Sequence, residues 1–255
     1  MYEDVIEAMT EVLHEKFPNY NIEFFYGGTG TLQAKIAAER GTKKLGCDML
    51  MVADPSYALE LKAQSLLHAY VSKEAGSIAL EYDPEGCRYP VRNLNMILEY
   101  NPEKFRREDL PQSFRDLSGP VALTKLETGE CKVIMILEES VLKKREEEDS
   151  ELAVIYPSDG VICVPSPIMT ITDEWSAHGN SKICEELTDW FLSPEGQGYI
   201  VKGWMHSVLK TPSAVPYDSI PTAEIFGSAM PVDWERCLKE RSELRTNFEE
   251  RVKTR

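Results

Sequence analysis

A glycine-rich loop within Tyr20–Ala38 is the sequence feature that most constrains how this chain can fold. An apolar run ends at Gly27–Gly30, read as GGTG, and apolar residues then recur at helical spacing from Thr31. This pattern predicts a strand, a glycine loop and a helix N-terminus. The first turn of a helix has N–H groups without partners and the positive end of the helix dipole, so it can bind an anion. An ordinary tight turn between strand and helix is the alternative, since G-x-G-x-x-G and the P-loop pattern are both absent.

Strand-like and helix-like segments alternate along the chain. The short apolar run Cys47–Val52 predicts a buried strand. Asp54 followed by Pro55 predicts a helix start, because aspartate is a good N-cap and proline suits the first helical position. Apolar periodicity predicts further helices at Tyr2–Lys16 and Lys182–Leu192. Such alternation is typical of an α/β domain with a mainly parallel sheet.

Two longer apolar runs predict strands at Val91–Tyr100 and Val161–Ile171. The second run contains Pro165 and Pro167, which exclude a central sheet position because proline has no N–H to donate. These prolines suit a segment that passes between two lobes. At the end of the chain, Asp233–Arg255 predicts one long, highly charged helix.

The charge balance restricts the partners of this chain. Its 28 Lys and Arg residues against 43 Asp and Glu residues give a net charge of −15, which argues against nucleic acid and anionic membranes as partners. No apolar run reaches the ~20 residues that a membrane helix needs. The opening residues, MYEDVIEAM, have neither the basic nor the apolar region of a signal peptide. We therefore expect no signal peptide in this chain.

The cysteine and histidine patterns give no support to metal or redox chemistry. The six cysteines are widely spaced and include no C-x-x-C pair, and no H-E-x-x-H occurs. We expect the cysteines to be mostly small buried apolar side chains, although their even number also permits disulfides. We expect no metal site, no cofactor and no catalytic residue.

A few polar positions could nevertheless carry chemistry. Glu138 and Glu139 follow the predicted strand Lys132–Leu137, where carboxylates can face a ligand or act as acid and base. A solvated helix start is at least as good an interpretation of them. Arg92 could clamp a phosphate or carboxylate, or form a surface ion pair. His206 could line a sugar site, or pack inside the fold.

Stretches along nearly the whole chain resemble the family 1 extracellular solute-binding proteins of ABC importers, in the iron/thiamine/phosphonate group. The first stretches are YGGTGTLQAKIAAERG, DMLMVADPSYALELKAQSLL and YPVRNLNMILEYNP. The later stretches LTKLETGECKVIMILEESVLKKREEE, VIYPSDGVICVPSPIMTI and LTDWFLSPEGQGYIVKGWMHSV resemble the hexose-phosphate-binding branch of that group. The resemblance implies a monomeric binding protein, not an enzyme, which delivers its solute to a membrane permease. It also implies a periplasmic or cell-surface location, where such proteins can be lipoproteins.

The same resemblance implies a two-lobed α/β fold of the type II periplasmic-binding-protein class, with crossover strands and hinge closure around a ligand in the inter-lobe cleft. Lobe one would comprise residues 1–92 and 165–255, and lobe two residues 93–164. The sequence departs from the family in two ways. The N-terminal strand is missing, and the second lobe is reduced, because a family segment is absent between Phe114–Leu117 and Ser118–Pro120. We therefore expect weakened or lost ligand affinity.

The resemblance further implies the ligand, a small anionic solute such as a sugar phosphate or related organophosphate, and most of the residues that bind it. Together with His206, the predicted ligand-binding residues are Gly28, Thr29, Gly30, Asp54, Arg92, Asn93, Asn95, Glu138, Glu139, Ser140 and Ser166. The iron-binding branch uses adjacent tyrosines in a region where this chain has Tyr199 alone, so ferric iron is the less favoured ligand.

Other function classes remain open at this point. The chain could be a degenerate or cytosolic ligand-binding relative without a transport role, which the missing signal peptide and missing segments favour. It could also be an enzyme, for example a phosphosugar hydrolase that uses Glu138 and Glu139. The enzyme is least favoured, because the sequence offers no nucleophile, metal cluster or general base apart from these residues.

Overall fold

The computed structural model describes residues 1–42, 44–117 and 131–253, with side chains up to residue 250. Within these ranges the α-helices are α1 (Glu3–Lys16), α2 (Thr29–Arg40), α3 (Pro55–Ala63), α4 (Glu138–Glu148), α5 (Ser181–Leu192), α6 (Pro194–Lys202), α7 (Thr222–Gly227), α8 (Trp234–Lys239) and α9 (Arg241–Lys253). The strands are β1 (Met49–Met51), β2 (Tyr89–Tyr100), β3 (Ile134–Leu137), β4 (Ala153–Ile155) and β5 (Ile162–Thr170).

The predicted α/β class is confirmed. The sequence also predicts a short helix at Val121–Thr128, a range that lies outside the described residues. Nowhere in the described ranges is a helix both long and apolar enough to cross a membrane.

The chain divides into two compact units. Unit 1 comprises residues 1–92 and 165–216, and unit 2 comprises residues 93–164 and 217–255. The two longest strands, β2 and β5, each pass from one unit into the other.

In unit 1, β1 pairs antiparallel with the end of β5, where Leu50 lies opposite Met169. Successive strand residues point to opposite faces, so neighbouring residues of β5 enter different core clusters. Ile168 packs with Met9 of α1, whereas Met169 packs with Leu50 and with Leu61 of α3. Helices therefore cover both faces of this strand pair.

In unit 2, β2 lies between β3 and β4 and pairs antiparallel with both. Leu98 is opposite Met135 on one side and Ile155 on the other. The faces of β2 again enter separate clusters, with Ile97 beside Val141 of α4 and Leu98 beside Ile155. The N-terminal half of β2 carries the polar residues Arg92, Asn93 and Asn95.

The end of the chain belongs to unit 2. The sequence predicts residues 217–255 in lobe one, whereas the structure groups them with residues 93–164. The reason is packing, because Ile225 of α7 is fully buried in the same cluster as Val161. The backbone adds to this contact, since Val161 N donates to Ser228 O (3.0 Å) and Met230 N donates to Val161 O (2.8 Å).

The predicted strand before the glycine loop is wrong. Residues 21–28 are irregular and have no β pairing. Phe25 is 65 % exposed and Tyr26 is 52 % exposed, so the apolar run is not buried as a strand would be. Its polar contacts go to α1 instead, where Ile22 N donates to His14 Nε2 (3.3 Å) and Tyr26 OH donates to Glu3.

Two other predictions are corrected by long-range structure. The sheet was predicted to be mainly parallel, but the pairs β1–β5, β2–β3 and β2–β4 are antiparallel. Local periodicity shows that a segment is a strand and does not reveal its partner, which here is often distant in the chain. The predicted single helix Asp233–Arg255 is two helices, α8 and α9, separated by Glu240.

The six cysteines are free thiols, and Cys87 and Cys184 are buried. Burial raises the pKa of Cys47 to about 11 and that of Cys184 to about 12. Thiols with such pKa values are weak nucleophiles near neutral pH, because the thiolate is the reactive form.

Candidate functional site

The glycine loop leads directly into α2, whose N-terminus is open. Gly28 is the N-cap residue and has no side chain with which to cap this helix. The first intrahelical bond runs from Leu32 N to Gly28 O (3.1 Å). A Cβ atom at Gly28 or Gly30 would meet no atom within 4 Å, so both glycines border open space. The first-turn N–H groups of α2 are thus in a position to donate to an anion.

Asp54 serves as the N-cap of α3. Its carboxylate accepts hydrogen bonds from Tyr57 N (3.2 Å) and from Ser56 Oγ (2.5 Å). It also accepts one from Gln33 Nε2 of α2 (2.8 Å). The predicted ligand-binding carboxylate is therefore used to start one helix and to join it to another.

Two further predicted residues hold the segment that follows β1. Thr29 Oγ1 accepts a hydrogen bond from Ala53 N (3.3 Å), and Ser166 Oγ donates to Val52 O (2.9 Å). Thr29, Ser166 and the neighbouring Asp54 therefore meet at the carboxyl end of β1. In α/β proteins this end of a strand is where ligands commonly bind.

Arg92 and His206 lie in another part of unit 1. Arg92 Nη1 contacts Met205 Sδ (3.6 Å), and the adjacent His206 is fully buried. The buried Gln197 of α6 holds this segment, since its Oε1 accepts from Val208 N (2.9 Å). Sequence reasoning missed Gln197, because its partners are spread over more than a hundred positions of the chain.

In unit 2 the polar residues of β2 meet the start of α4. The β2–β3 ladder ends at the pair Met96–Leu137, which brings Asn95 close to Glu138, the first residue of α4. Asn95 Nδ2 donates to Glu138 Oε2 (2.6 Å). Glu138 is 1 % exposed, which excludes the solvated helix start considered for it from sequence.

The other carboxylate oxygen of Glu138 has two more donors. Tyr156 OH donates to Oε1 at 2.5 Å, and Ser219 Oγ donates to the same atom at 2.7 Å. Burial, followed by the negative charge of Glu138, raises the pKa of the Tyr156 phenol well above its usual range. This shift keeps the phenol protonated, so it remains a donor. Sequence reasoning missed Tyr156 and Ser219, which have no local motif.

Asn93 extends the same network along β2. Its Nδ2 donates to Asn95 Oδ1 (2.5 Å), and the Cys163 thiol lies 3.6 Å from that oxygen. Burial raises the pKa of Cys163. Asn93 is 1 % exposed, and its own Oδ1 has no hydrogen-bond partner in the described part of the chain. The remaining predicted residues here, Glu139 and Ser140, lie half-buried in the first turn of α4.

The predicted residues thus fall into separate groups. The group at the starts of α2 and α3 contains Gly28, Thr29, Gly30, Asp54 and Ser166. The group in unit 2 contains Asn93, Asn95 and Glu138, to which the structure adds Tyr156 and Ser219.

Asp83, Glu85 and Cys87 form a cluster of possible metal ligands, but a neighbouring lysine makes the cluster unfavourable for a metal ion. Ligand atoms of Asp83, Glu85 and Cys87 lie within 4.8 Å of one another. The ammonium group of Lys62 contacts both carboxylates, at 2.6 Å from Asp83 and 2.9 Å from Glu85. These contacts raise the pKa of Lys62, which remains charged. A fixed positive charge in this position opposes a metal cation.

The chain matches no protein-family profile, and no curated protein sequence matches it significantly. Solved structures do match. Iron-bound HitA from Pseudomonas aeruginosa has a TM-score of 0.81 at 18 % identity, with 98 % of this chain and 96 % of HitA covered. AfuA from Actinobacillus pleuropneumoniae, with fructose-6-phosphate bound, has a TM-score of 0.79 at 16 % identity, with 99 % and 96 % covered. This chain has the fold of the periplasmic solute-binding proteins.

The predicted two-lobed periplasmic-binding-protein-like fold is thereby confirmed. A periplasmic thiamin binding protein shares it too, with a TM-score of 0.75 at 12 % identity and with 96 % of this chain and 91 % of that protein covered. HitA has iron bound, AfuA has fructose-6-phosphate bound, and the third protein is a thiamin binding protein. Because this fold binds such different ligands, the fold alone does not identify the ligand of this chain. That ligand has to be argued from individual residues.

Proposed function

We propose that this protein is the substrate-binding protein of an ABC transporter and that it binds a small anionic solute, a sugar phosphate or a related organophosphate. In this role it works in the periplasm or at the cell surface and delivers the solute to a membrane permease. The fold supports the general role, because the neighbouring structures are periplasmic binding proteins. The ligand class is supported by residues of unit 1.

The observation that carries the anionic ligand is the open N-terminus of α2. Gly28 and Gly30 leave room for close approach, and the N-cap residue Gly28 has no side chain to cap the helix. The neighbouring helix α3, by contrast, has its own carboxylate cap in Asp54. A phosphate group at α2 would take the place that Asp54 fills at α3. It would gain both the N–H donors and the favourable helix dipole.

The net charge of −15 does not oppose this proposal. Electrostatic screening limits the reach of surface charges to ~8 Å at physiological ionic strength, so the local donors dominate binding of a small anion. A binding role without catalysis also fits Glu138. Its carboxylate is buried and accepts hydrogen bonds from three side chains, which leaves it poorly placed to act as an acid or base.

Ferric iron is the second candidate ligand, favoured by the match to iron-bound HitA. Against it, the sequence contains no pair of adjacent tyrosines. The ring of Tyr199 packs against Trp190, with centroids 5.8 Å apart, and Lys202 Nζ lies 4.8 Å from the Tyr199 ring centroid. A cation next to this ring disfavours a trivalent metal ion at the same phenol.

Isothermal titration calorimetry tests the proposal directly. Glucose 6-phosphate, fructose 6-phosphate, inorganic phosphate and ferric citrate are titrated separately into the purified protein. We expect weak but saturable binding of a sugar phosphate and no binding of ferric citrate. Binding of ferric citrate alone would establish the iron alternative. No binding of any probe would contradict the proposal and favour a degenerate relative without a transport role.

A further inference from the structure

Residues 22–26 of unit 1 have the side-chain alternation of a strand, although they are not paired with one. Ile22 and Phe24 pack against the core cluster to which α1 contributes. Phe25 contacts α2 instead, where Lys35 Nζ lies 5.2 Å from its ring centroid. Successive side chains thus face α1 and α2 in turn, as they do along a β-strand. In the described part of the chain this 22–26 run nevertheless has no β pairing.

Strand β1 has the same alternation and an open edge. Met49 and Met51 pack against the same core cluster as the 22–26 run. Leu50, which lies between them, packs with Ile36 of α2 in the other cluster of unit 1. Among the described strands, β1 pairs with β5 alone. The 22–26 run and β1 therefore lie in one layer, with α1 on one side of it and α2 on the other.

The 22–26 run and β1 also end at the same place. The run leads into α2 and β1 leads towards α3, and Thr29 Oγ1 accepts a hydrogen bond from Ala53 N (3.3 Å) just after both segments. Their carboxyl ends therefore lie together. No backbone hydrogen bond joins residues 22–26 to residues 49–51, all of which are described. Their N–H and C=O groups remain available to a further strand between them.

The surroundings of these two segments define which strand would fit. An extended polypeptide supplies N–H and C=O groups to both of its edges. Helices lie on both faces of the layer, so the side chains of the added strand would be apolar on both faces. Glu23 is exposed within the run, and Glu3 of α1 accepts from Tyr26 OH. Basic residues at the ends of the strand would complement these carboxylates, whereas a second copy of this chain, with its net charge of −15, would be repelled.

We propose that unit 1 contains a strand-addition site for a partner chain. The partner inserts one extended segment, apolar on both faces and basic at its ends, between the 22–26 run and β1. The added strand covers apolar surface that is otherwise open to water, since Phe25 is 65 % exposed and Tyr26 is 52 % exposed. The inference does not depend on the solute, because every residue it uses lies in unit 1 and none is required to bind an anion.

A synthetic peptide tests this site on the full chain. Acetyl-KKVIVYVKK-amide has the proposed composition, and isothermal titration calorimetry measures its affinity. We expect one peptide to bind per protein molecule. A proline in place of the central valine removes one N–H group and should weaken binding at least tenfold. Glutamates in place of the four lysines keep the apolar residues and should also weaken binding at least tenfold, because they repel Glu3 and Glu23.

Hydrogen exchange followed by mass spectrometry locates the bound peptide. The amides of residues 22–26 and 49–51 should exchange more slowly when the peptide is present, and those of α9 should not change. Phe25→Pro and Tyr26→Pro remove donors from opposite edges of the run, so one of them should weaken the peptide at least tenfold. Phe25→Ala and Tyr26→Ala are the matched controls and should keep its affinity within about threefold of the wild type.

Three results would overturn the inference. The first is no binding of the peptide, and the second is equal affinity for the valine and proline peptides or protection at other residues. The third is a dimer in analytical ultracentrifugation whose 22–26 and 49–51 amides are already protected without peptide, because a second copy would then occupy the site. The two peptide comparisons use the wild-type protein, so they do not depend on a variant that folds poorly.

Discussion

The side chain of Gln33 in α2 donates to the Asp54 carboxylate at 2.8 Å and thereby joins the N-terminal turns of two helices. Asp54 already caps α3, so one carboxylate serves both a local and a tertiary role. This relationship orders the segment next to the open start of α2. It therefore links the stability of unit 1 to the geometry of the proposed anion site.

Replacing Asp54 should destabilise the protein. Asp54→Ala removes the cap of α3 and the partner of Gln33, and loss of an N-cap typically costs ~1–2 kcal/mol. Asp54→Asn is the matched control, because an asparagine oxygen can still accept from Tyr57 N. Urea unfolding followed by circular dichroism measures both variants. Equal stability of Asp54→Ala and the wild type would show that the cap is unimportant.

A negative charge at the start of α2 should abolish anion binding without harming the helix. Gly30→Asp places a carboxylate in the first helical turn, where it interacts favourably with the helix dipole but repels a bound phosphate. The surroundings of Gly30 are open, so the side chain fits. We expect at least a tenfold loss of sugar-phosphate affinity by calorimetry, equivalent to ~1.4 kcal/mol.

The neutral variant Gly30→Asn controls for size at the same position. It should keep the sugar-phosphate affinity within about threefold of the wild type, because it adds no charge. A threefold change in affinity corresponds to less than ~1.4 kcal/mol. If both variants bind as tightly as the wild type, the phosphate does not lie at the N-terminus of α2.

Removing the Glu138 carboxylate should lower the stability of the folded protein. Glu138→Ala leaves the donors of Asn95, Tyr156 and Ser219 buried without their acceptor, and each such group costs ~1–3 kcal/mol. We expect a total loss of about 3 kcal/mol or more in urea unfolding. The neighbouring Glu139→Ala should change stability by less than ~1 kcal/mol, because Glu139 is half-buried. Similar small effects of both variants would contradict the role assigned to Glu138.

The Glu185 side chain should make stability depend on acidic pH. Hydrogen bonds from Lys182 (2.6 Å) and then from His68 (3.0 Å) lower the pKa of Glu185. Because the folded-state pKa lies below the unfolded one, this contribution is present above the unfolded value, near 4.5, and is lost as the pH falls through the folded pKa.

Unfolding titrations between pH 6 and pH 3 measure this effect. Glu185→Gln should make the decline in stability with falling pH shallower than in the wild type, while Glu186→Gln should leave it unchanged. Identical pH profiles for the wild type and Glu185→Gln would contradict the prediction. The pH range covers the unfolded pKa of Glu185, near 4.5, and its lowered value in the folded protein.

Interactions between residues close in sequence could be predicted, and those between distant residues could not. The start of α3 at Asp54 and Pro55 followed from capping preferences, which act within one helical turn. The strand predicted for Ile22–Tyr26 was wrong, because an apolar pattern forms a strand only where a partner strand is available. In the structure Phe25 and Tyr26 stay exposed, and the segment contacts α1 instead.

The same difference between local and distant contacts applies to the residues of the candidate site. The glycine loop and the start of α2 were visible as local patterns, and the helix begins at Thr29, two residues before the predicted position. The partners of Glu138 were not visible, because Tyr156 and Ser219 lie 18 and 81 positions away. The pairing of β2 with β3 brings Asn95 within hydrogen-bond distance of Glu138, and no local preference encodes that pairing.

By itself, the sequence determined the cap of α3 at Asp54 and the alternation of helices and strands, because these depend on short-range backbone chemistry. Only the tertiary structure decided which carboxylate is buried and that residues 217–255 pack with unit 2. Those outcomes depend on which distant segments exclude water from one another. Neighbours in sequence do not carry that information.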